Sequence, residues 1–142
     1  MDRTAIVATM VTSILAFSSP SLAASDEELG HLGDKMSGAF KCSVYAADSH
    51  DLKEQQRLFQ IGLKAARDFV EGLKSHNKHP LGELQTYMPG ATTDFVVGEM
   101  YADQSKQAED EIRSGLDHWA DADARKNEAE RSYRKSNCSL IQ

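Results

Sequence analysis

The chain has 142 residues, with 22 Asp and Glu against 16 Lys and Arg, for a formal net charge of -6. That acidic balance is a poor match for nucleic acid or an anionic membrane, and a better one for a cationic partner. Aromatic content is 7%, there are 3 prolines, and helix formers dominate from Asp26 to Lys135, which points to an all-α class.

Asp2 and Arg3 precede an uncharged run from Ala5 to Phe17, followed by Ser18, Ser19, Pro20 and the small-residue sequence Ser21-Leu22-Ala23-Ala24. A basic start, a short apolar run and a small-x-small site have the form of a secretory signal peptide. A buried N-terminal helix fits less well, because the run is apolar all round and ends in Pro and small residues. Residues 1–23 are therefore expected to be removed after Ala23, with Ala24 the next choice, and the protein to reside in the periplasm or to be secreted. The apolar run is shorter than the roughly 20 residues a membrane span needs, and no later segment approaches that length. Residues 24–142 are enough for one helical domain with one core. Loss of Asp2 and Arg3 leaves the charge at -6.

Ser25-Asp26-Glu27-Glu28 reads as a capping box ahead of Leu29, Leu32, Met36, Phe40, Val44 and Ala47 at helical spacing. Gly30, Gly33 and Gly38 each cost about 1 kcal/mol in a helix interior, so the first turns are expected to fray. After the connector Asp48-Ser49-His50-Asp51, with Ser49 or Asp51 as cap, comes the most amphipathic segment, Leu52 to Leu73. Its apolar positions, among them Leu52, Leu58, Phe59, Leu63, Phe69 and Val70, span about 180° at 100° per residue. So wide an arc predicts the central helix of a bundle, with Phe69 near the middle of the arc. Pro80 opens a short third helix over Leu81 to Met88, which Pro89 and Gly90 stop. Thr92 or Thr93 caps the next helix, Asp94 to about Ser114. Phe95, Val96, Val97, Met100 and Tyr101 are expected to be buried there, and the end beyond Tyr101 to project toward solvent. Gly115 ends that helix. A peripheral last helix runs from Trp119 to Ser136 with Ala122, Ala129 and Tyr133 as a thin apolar stripe. The expected architecture is a bundle of four main helices plus the short third.

Cys42 and Cys138 are the 2 cysteines. In an oxidising compartment the expected state is one intramolecular bridge, the alternatives being free thiols or an intermolecular bond. Closing a loop of about 97 residues stabilises by about 4 to 5 kcal/mol in the chain-entropy model. In a simple up-down-up-down bundle the two cysteines would lie at opposite ends. The preferred resolution is that the short third helix reverses the sense of the helices after it. The alternative is a late-starting first helix and a tilted last one. The tail is expected to dock beside Cys42 with Leu140 and Ile141 packed nearby.

Motifs for chemistry are weak. His76-x-x-His79 has a metal-like spacing but straddles a helix end before Pro80 and lacks partners, so it reads as a solvated loop. Asp117, Asp121 and Asp123 lack the Gly and terminal Glu of a calcium loop. Ser37 is not in a nucleophile elbow, no Cys-x-x-Cys-His motif for covalent haem occurs, and Glu109 and Asp110 diverge on a helix rather than forming an acid and base pair. No catalytic, cofactor or metal residues are assigned. The distinctive polar feature is acidic: Glu99, Asp103, Glu109, Asp110, Glu111, Asp117, Asp121 and Asp123 stand against Lys106 and Arg113 alone between positions 99 and 123. The ordinary use of such a surface is solubility. Its functional use is docking a basic protein, with Glu109, Glu111, Asp117 and Asp121 as contacts, and Tyr87 and Met88 as apolar contacts should the acidic end not serve.

No family motif falls on these residues. In architecture alone the chain is similar to secreted-toxin immunity proteins, enzyme inhibitors and acid-stress chaperones, a likeness that carries over no residue. The expected function is partner binding, of an inhibitor or immunity kind, with a periplasmic stress chaperone as the alternative and an enzyme or metal carrier as a remote one. If residues 1–23 are a signal peptide, the protein isolated from its native host begins at Ala24 or Ser25. Intact mass decides this, and a retained Met1 in a cytoplasmic fraction overturns it.

Overall fold

The structure, a computed structural model, describes residues 24–75, 90–118 and 120–142. The proposed signal peptide, the short third helix with His76, His79, Tyr87 and Met88, and Trp119 lie outside the described residues. Among the described residues are four α-helices and a terminal 3-10 turn, with no strand: α1 Asp26–Asp48, α2 Leu52–Ser75, α3 Thr93–Ser114, α4 Ala122–Lys135, and η1 Cys138–Leu140. None of these helices is long and apolar enough to cross a membrane.

Each helix starts where a short polar side chain can replace a missing intrahelical partner. Ser25 accepts the Glu28 N–H at 3.2 Å, Asp51 the Glu54 N–H at 3.0 Å, Thr92 the Phe95 N–H at 3.3 Å and Asp121 the Ala124 N–H at 2.9 Å. His50 takes a left-handed conformation at φ 65° to turn α1 into α2, and Asn137 does so at φ 53° to turn α4 into η1. The first turns of α1, expected to fray at their glycines, are helical from Asp26.

Contacts set the helix directions. The start of α3 lies beside the end of α2, where Arg67 pairs with Asp94 at 2.9 Å and Thr93 donates to Glu71 at 2.6 Å. Going up α3, Ser37 of α1 donates to Gln104 at 2.6 Å, and Tyr45 and Lys41 both bond Glu111. Thus α3 is parallel to α1 and antiparallel to α2. The up-down-up sense is kept, which corrects the expected reversal. The cysteines meet for a different reason. Cys42 is not at the tip of α1, which continues to Asp48, about 9 Å further at 1.5 Å per residue. Arg125 at the start of α4 pairs with Asp48 at 2.7 Å, and α4 then runs obliquely back along the last turns of α1 until Cys138 lies 5.6 Å, Cα to Cα, from Cys42 in the disulfide. The last helix is indeed tilted, but the first does not start late.

The core has two parts. The upper one joins Cys42, Tyr45 and Ala46 of α1 to Leu58, Ala108, Ile112, Ala129 and Cys138. The lower one joins Met36 and Phe40 to Ala65, Ala66, Val70, Val96 and Val97. In both, α1 supplies the bulk: Tyr45 and Phe40 are the largest fully buried side chains. The expectation that α2 is the central helix is therefore corrected. Its buried face consists of Leu58, Gly62, Ala65, Ala66 and Val70, with Gly62 lying against the Phe40 ring of α1. Phe69 is half-buried, its ring set over Gly33, and Leu52 is 69% exposed. Phe95 is 49% exposed, because Val96 and Val97 are the pair that faces the core. Conversely Ala108 and Ile112, expected on an end projecting into solvent, are fully buried, since α4 covers them. In the tail Ile141 packs beside Gly38, while Leu140 is 72% exposed.

At Gly62 the α1–α2 contact is tight: an added Cβ would lie 2.5 Å from the buried Phe40 ring. Gly62→Ala is therefore expected to destabilise by about 1 to 3 kcal/mol despite its better helix propensity. Gly30→Ala, whose Cβ meets nothing within 4 Å, should be neutral or stabilising. Urea midpoints of the two variants check this, and equal midpoints overturn the packing argument.

Candidate partner-binding surface

The four acidic candidates, Glu109, Glu111, Asp117 and Asp121, lie where α3 ends and α4 begins. Gly115 is the residue that closes α3. The Glu128 carboxyl lies against it, and a Cβ there would come within 2.5 Å of that group. Glu128 is buried in spite of its charge, with Arg131 2.9 Å from its other oxygen. Two hollows flank this point. One, of about 810 Å³, is lined by Leu116, Asp117, His118, Asp121, Glu128 and Arg131 among others. The other, of about 360 Å³, lies among Glu111, Glu128, Arg131 and Lys135.

The four acidic candidates divide into two kinds. Glu111 is held from α1 by the Lys41 ammonium and the Tyr45 hydroxyl. Burial pushes its carboxyl up, but the bonds from Lys41 and Tyr45 outweigh that and leave it below the ordinary range. Burial, with the same contact added to it, raises the Tyr45 phenol well above its usual value. Asp121 caps α4. These two acids do structural work. Glu109 and Asp117 are exposed and form no ion pair among the described residues. Asp110 is taken by Lys106 at 2.9 Å, and that hydrogen bond lowers its pKa. The field of the acidic end is not uncompensated, as the linear sequence suggests, because the fold brings Lys41, Arg131 and Lys135 to its inner side.

Lys41, Tyr45, Glu128 and Arg131 are the residues that sequence reasoning missed here. Lys41 and Tyr45 lie 70 and 66 positions from Glu111, so no local spacing marks them. Chemically the surface offers carboxylates that accept hydrogen bonds from ammonium or guanidinium groups. Among the described residues no group of three or more His, Cys, Asp or Glu is placed to hold a metal ion.

A second polar knot fixes the neighbouring tail. Glu54 on α2 accepts from Arg57 at 2.6 and 2.7 Å and from the Tyr133 hydroxyl of α4, and Arg57 also donates to the Ile141 carbonyl at 2.7 Å. The bond from Arg57 draws the Glu54 pKa down from 4.5 to about 2, while burial, with the bond to Glu54, lifts Tyr133 to about 12. A carboxylate with a depressed pKa stabilises the fold fully above its unfolded value and loses that contribution as pH falls toward its folded value. Glu54→Gln should therefore lower stability by on the order of 1 kcal/mol near neutral pH, with the deficit vanishing between pH 4.5 and about 2. Denaturant midpoints across that window measure it, and a deficit independent of pH excludes the charged contact as its source.

Compared with protein-family models, with curated proteins and with solved structures, the chain finds no match.

Proposed function

We propose that this is an exported partner-binding protein, of an inhibitor or immunity kind, which meets a basic protein through the surface around residues 109–121. The observation that carries this reading is the pair of exposed carboxylates, Glu109 and Asp117, left without an ion pair among the described residues on a frame closed by a disulfide. Export is read from the pattern of residues 1–23, and a bridge between buried cysteines suits an oxidising compartment. A cross-linked bundle loses little freedom on binding, which favours affinity. The chaperone reading draws on the acid-sensitive tie between α2 and α4 at Glu54.

The test begins with capture of partners from periplasmic extract by the mature protein. One stoichiometric partner supports the binding reading, and a broad set of denatured clients supports the chaperone. For that partner, association is then compared at two salt concentrations between wild type and the double variant Glu109→Lys, Asp117→Lys. Glu111 and Asp121 are left intact because reversing them would damage the Tyr45 contact and the α4 cap. The expected result is association slowed several-fold with a weaker salt dependence, and dissociation and stability nearly unchanged. An unchanged on-rate and salt slope return these charges to a solubilising role.

A further inference from the structure

The two parts of the core differ in what they owe to the end of the chain. The lower part, around Phe40, Ala66, Val70 and Val97, is built from α1, α2 and α3 alone. The upper part draws Ala129 from α4 and Cys138 from η1. Together α4 and η1 form a strap over that upper core. At one end the strap continues from α3, and at the other the Cys42–Cys138 bond fastens it to α1. Between the two fastenings its apolar hold is slight. Ala129 is the buried apolar residue of α4 and Tyr133 is partly buried, while from Arg134 to Gln142 only Cys138 is buried and Ile141 half-buried. The other ties are polar: Arg125 to Asp48, Tyr133 to Glu54, and Arg57 to the Ile141 carbonyl. Tyr45, Leu58, Ala108 and Ile112 share the upper cluster with Ala129 and Cys138, and each is fully buried.

We propose that the Cys42–Cys138 bond is a redox switch: its reduction releases α4 and η1 from a three-helix frame that stays folded, and uncovers the apolar face formed by Tyr45, Ala108 and Ile112. A dithiol reductant supplies the two electrons. One of its thiolates attacks a cysteine sulfur to form a mixed disulfide, and the other cysteine leaves as a thiolate that takes up a proton. The second thiol of the reductant, losing its proton, then displaces the remaining cysteine, which is protonated in turn. The reductant ends as a disulfide and the protein with two thiols. Both sulfurs are buried, so attack passes through a state in which the tail has lifted, and the thin hold on residues 134–142 provides that opening. Cutting the bond turns a strap fixed at both ends into a tail fixed at one. In the chain-entropy model, opening a loop the length of residues 116–137 raises the released population by about two orders of magnitude. The frame keeps its own core, because Phe40, lying against Gly62, takes nothing from α4.

Hydrogen exchange read by mass spectrometry tests this on the purified protein, oxidised and after reduction by dithiothreitol. Reduction should speed exchange of the α4 amides, residues 122–135, by about 100-fold, while the amides of α2 from Gly62 to Val70 and of α3 from Val97 to Tyr101 keep their protection. The double variant Cys42→Ala, Cys138→Ala should show the same pattern with no reductant present, and reoxidation of the wild type should restore the protection of α4. Equal protection of α4 in the two redox states overturns the proposal. Loss of protection in all helices together overturns it as well, because the bond is then a staple of the whole domain rather than a catch on one helix. The switch holds or fails whatever partner the protein meets.

Discussion

The bond between Cys42 and Cys138 carries α4, and with it the turn on which the acidic surface is mounted. Of the apolar side chains of α4, Ala129 is fully buried and Tyr133 partly so, while the rest of its surface is largely charged. Burying one alanine is worth little at about 25 cal/mol per Å². The remaining ties are polar and partly exposed: Arg125 to Asp48, Tyr133 to Glu54, Arg57 to the Ile141 carbonyl. Exposed ion pairs contribute about 0 to 1 kcal/mol each. A covalent link across a sequence separation of 96 contributes more than any of them, about 4 to 5 kcal/mol in the chain-entropy model.

The other three helices hold together by ordinary packing, and α1 is their common element. Phe40 enters the space left by Gly62, and Tyr45 fills the upper core while its hydroxyl reaches the edge to bond Glu111. A buried tyrosine needs such a partner for its polar end. The contact also ties α3 to α1 at this level, where Glu111 meets both Tyr45 and Lys41. One acid of the candidate surface is thus spent on holding the helices in place, and Asp121 on starting α4.

Of the four acidic candidates, only Glu109 and Asp117 remain exposed with neither an ion pair nor a capping role among the described residues. Glu109 and Asp117 face solvent, with Arg131 and Lys135 on the inner side of this end.

The amino-acid sequence by itself determined the helical class, the cap at Ser25, the choice of the next two caps to within a pair of residues, Ser49 or Asp51 and Thr92 or Thr93, and the approximate span of each main helix. These depend on neighbours within a few positions, which the chain displays directly. The pairing of Cys42 with Cys138 was also within reach, because two cysteines leave little choice. Tertiary structure alone decided which helix is central. Amphipathicity measures how cleanly a helix separates its faces, and α2 does so best, but the volume in the core comes from Phe40 and Tyr45 of the less regular α1. It also decided the course of α4. An oblique crossing depends on where Ala129 and Arg125 find room on α1, and no local spacing encodes that. For the same reason the run of acids could not be divided by role in the sequence. Glu109 and Glu111 differ only in the direction each takes from α3, and the partners of Glu111 lie 66 and 70 positions away, where only the fold brings them together.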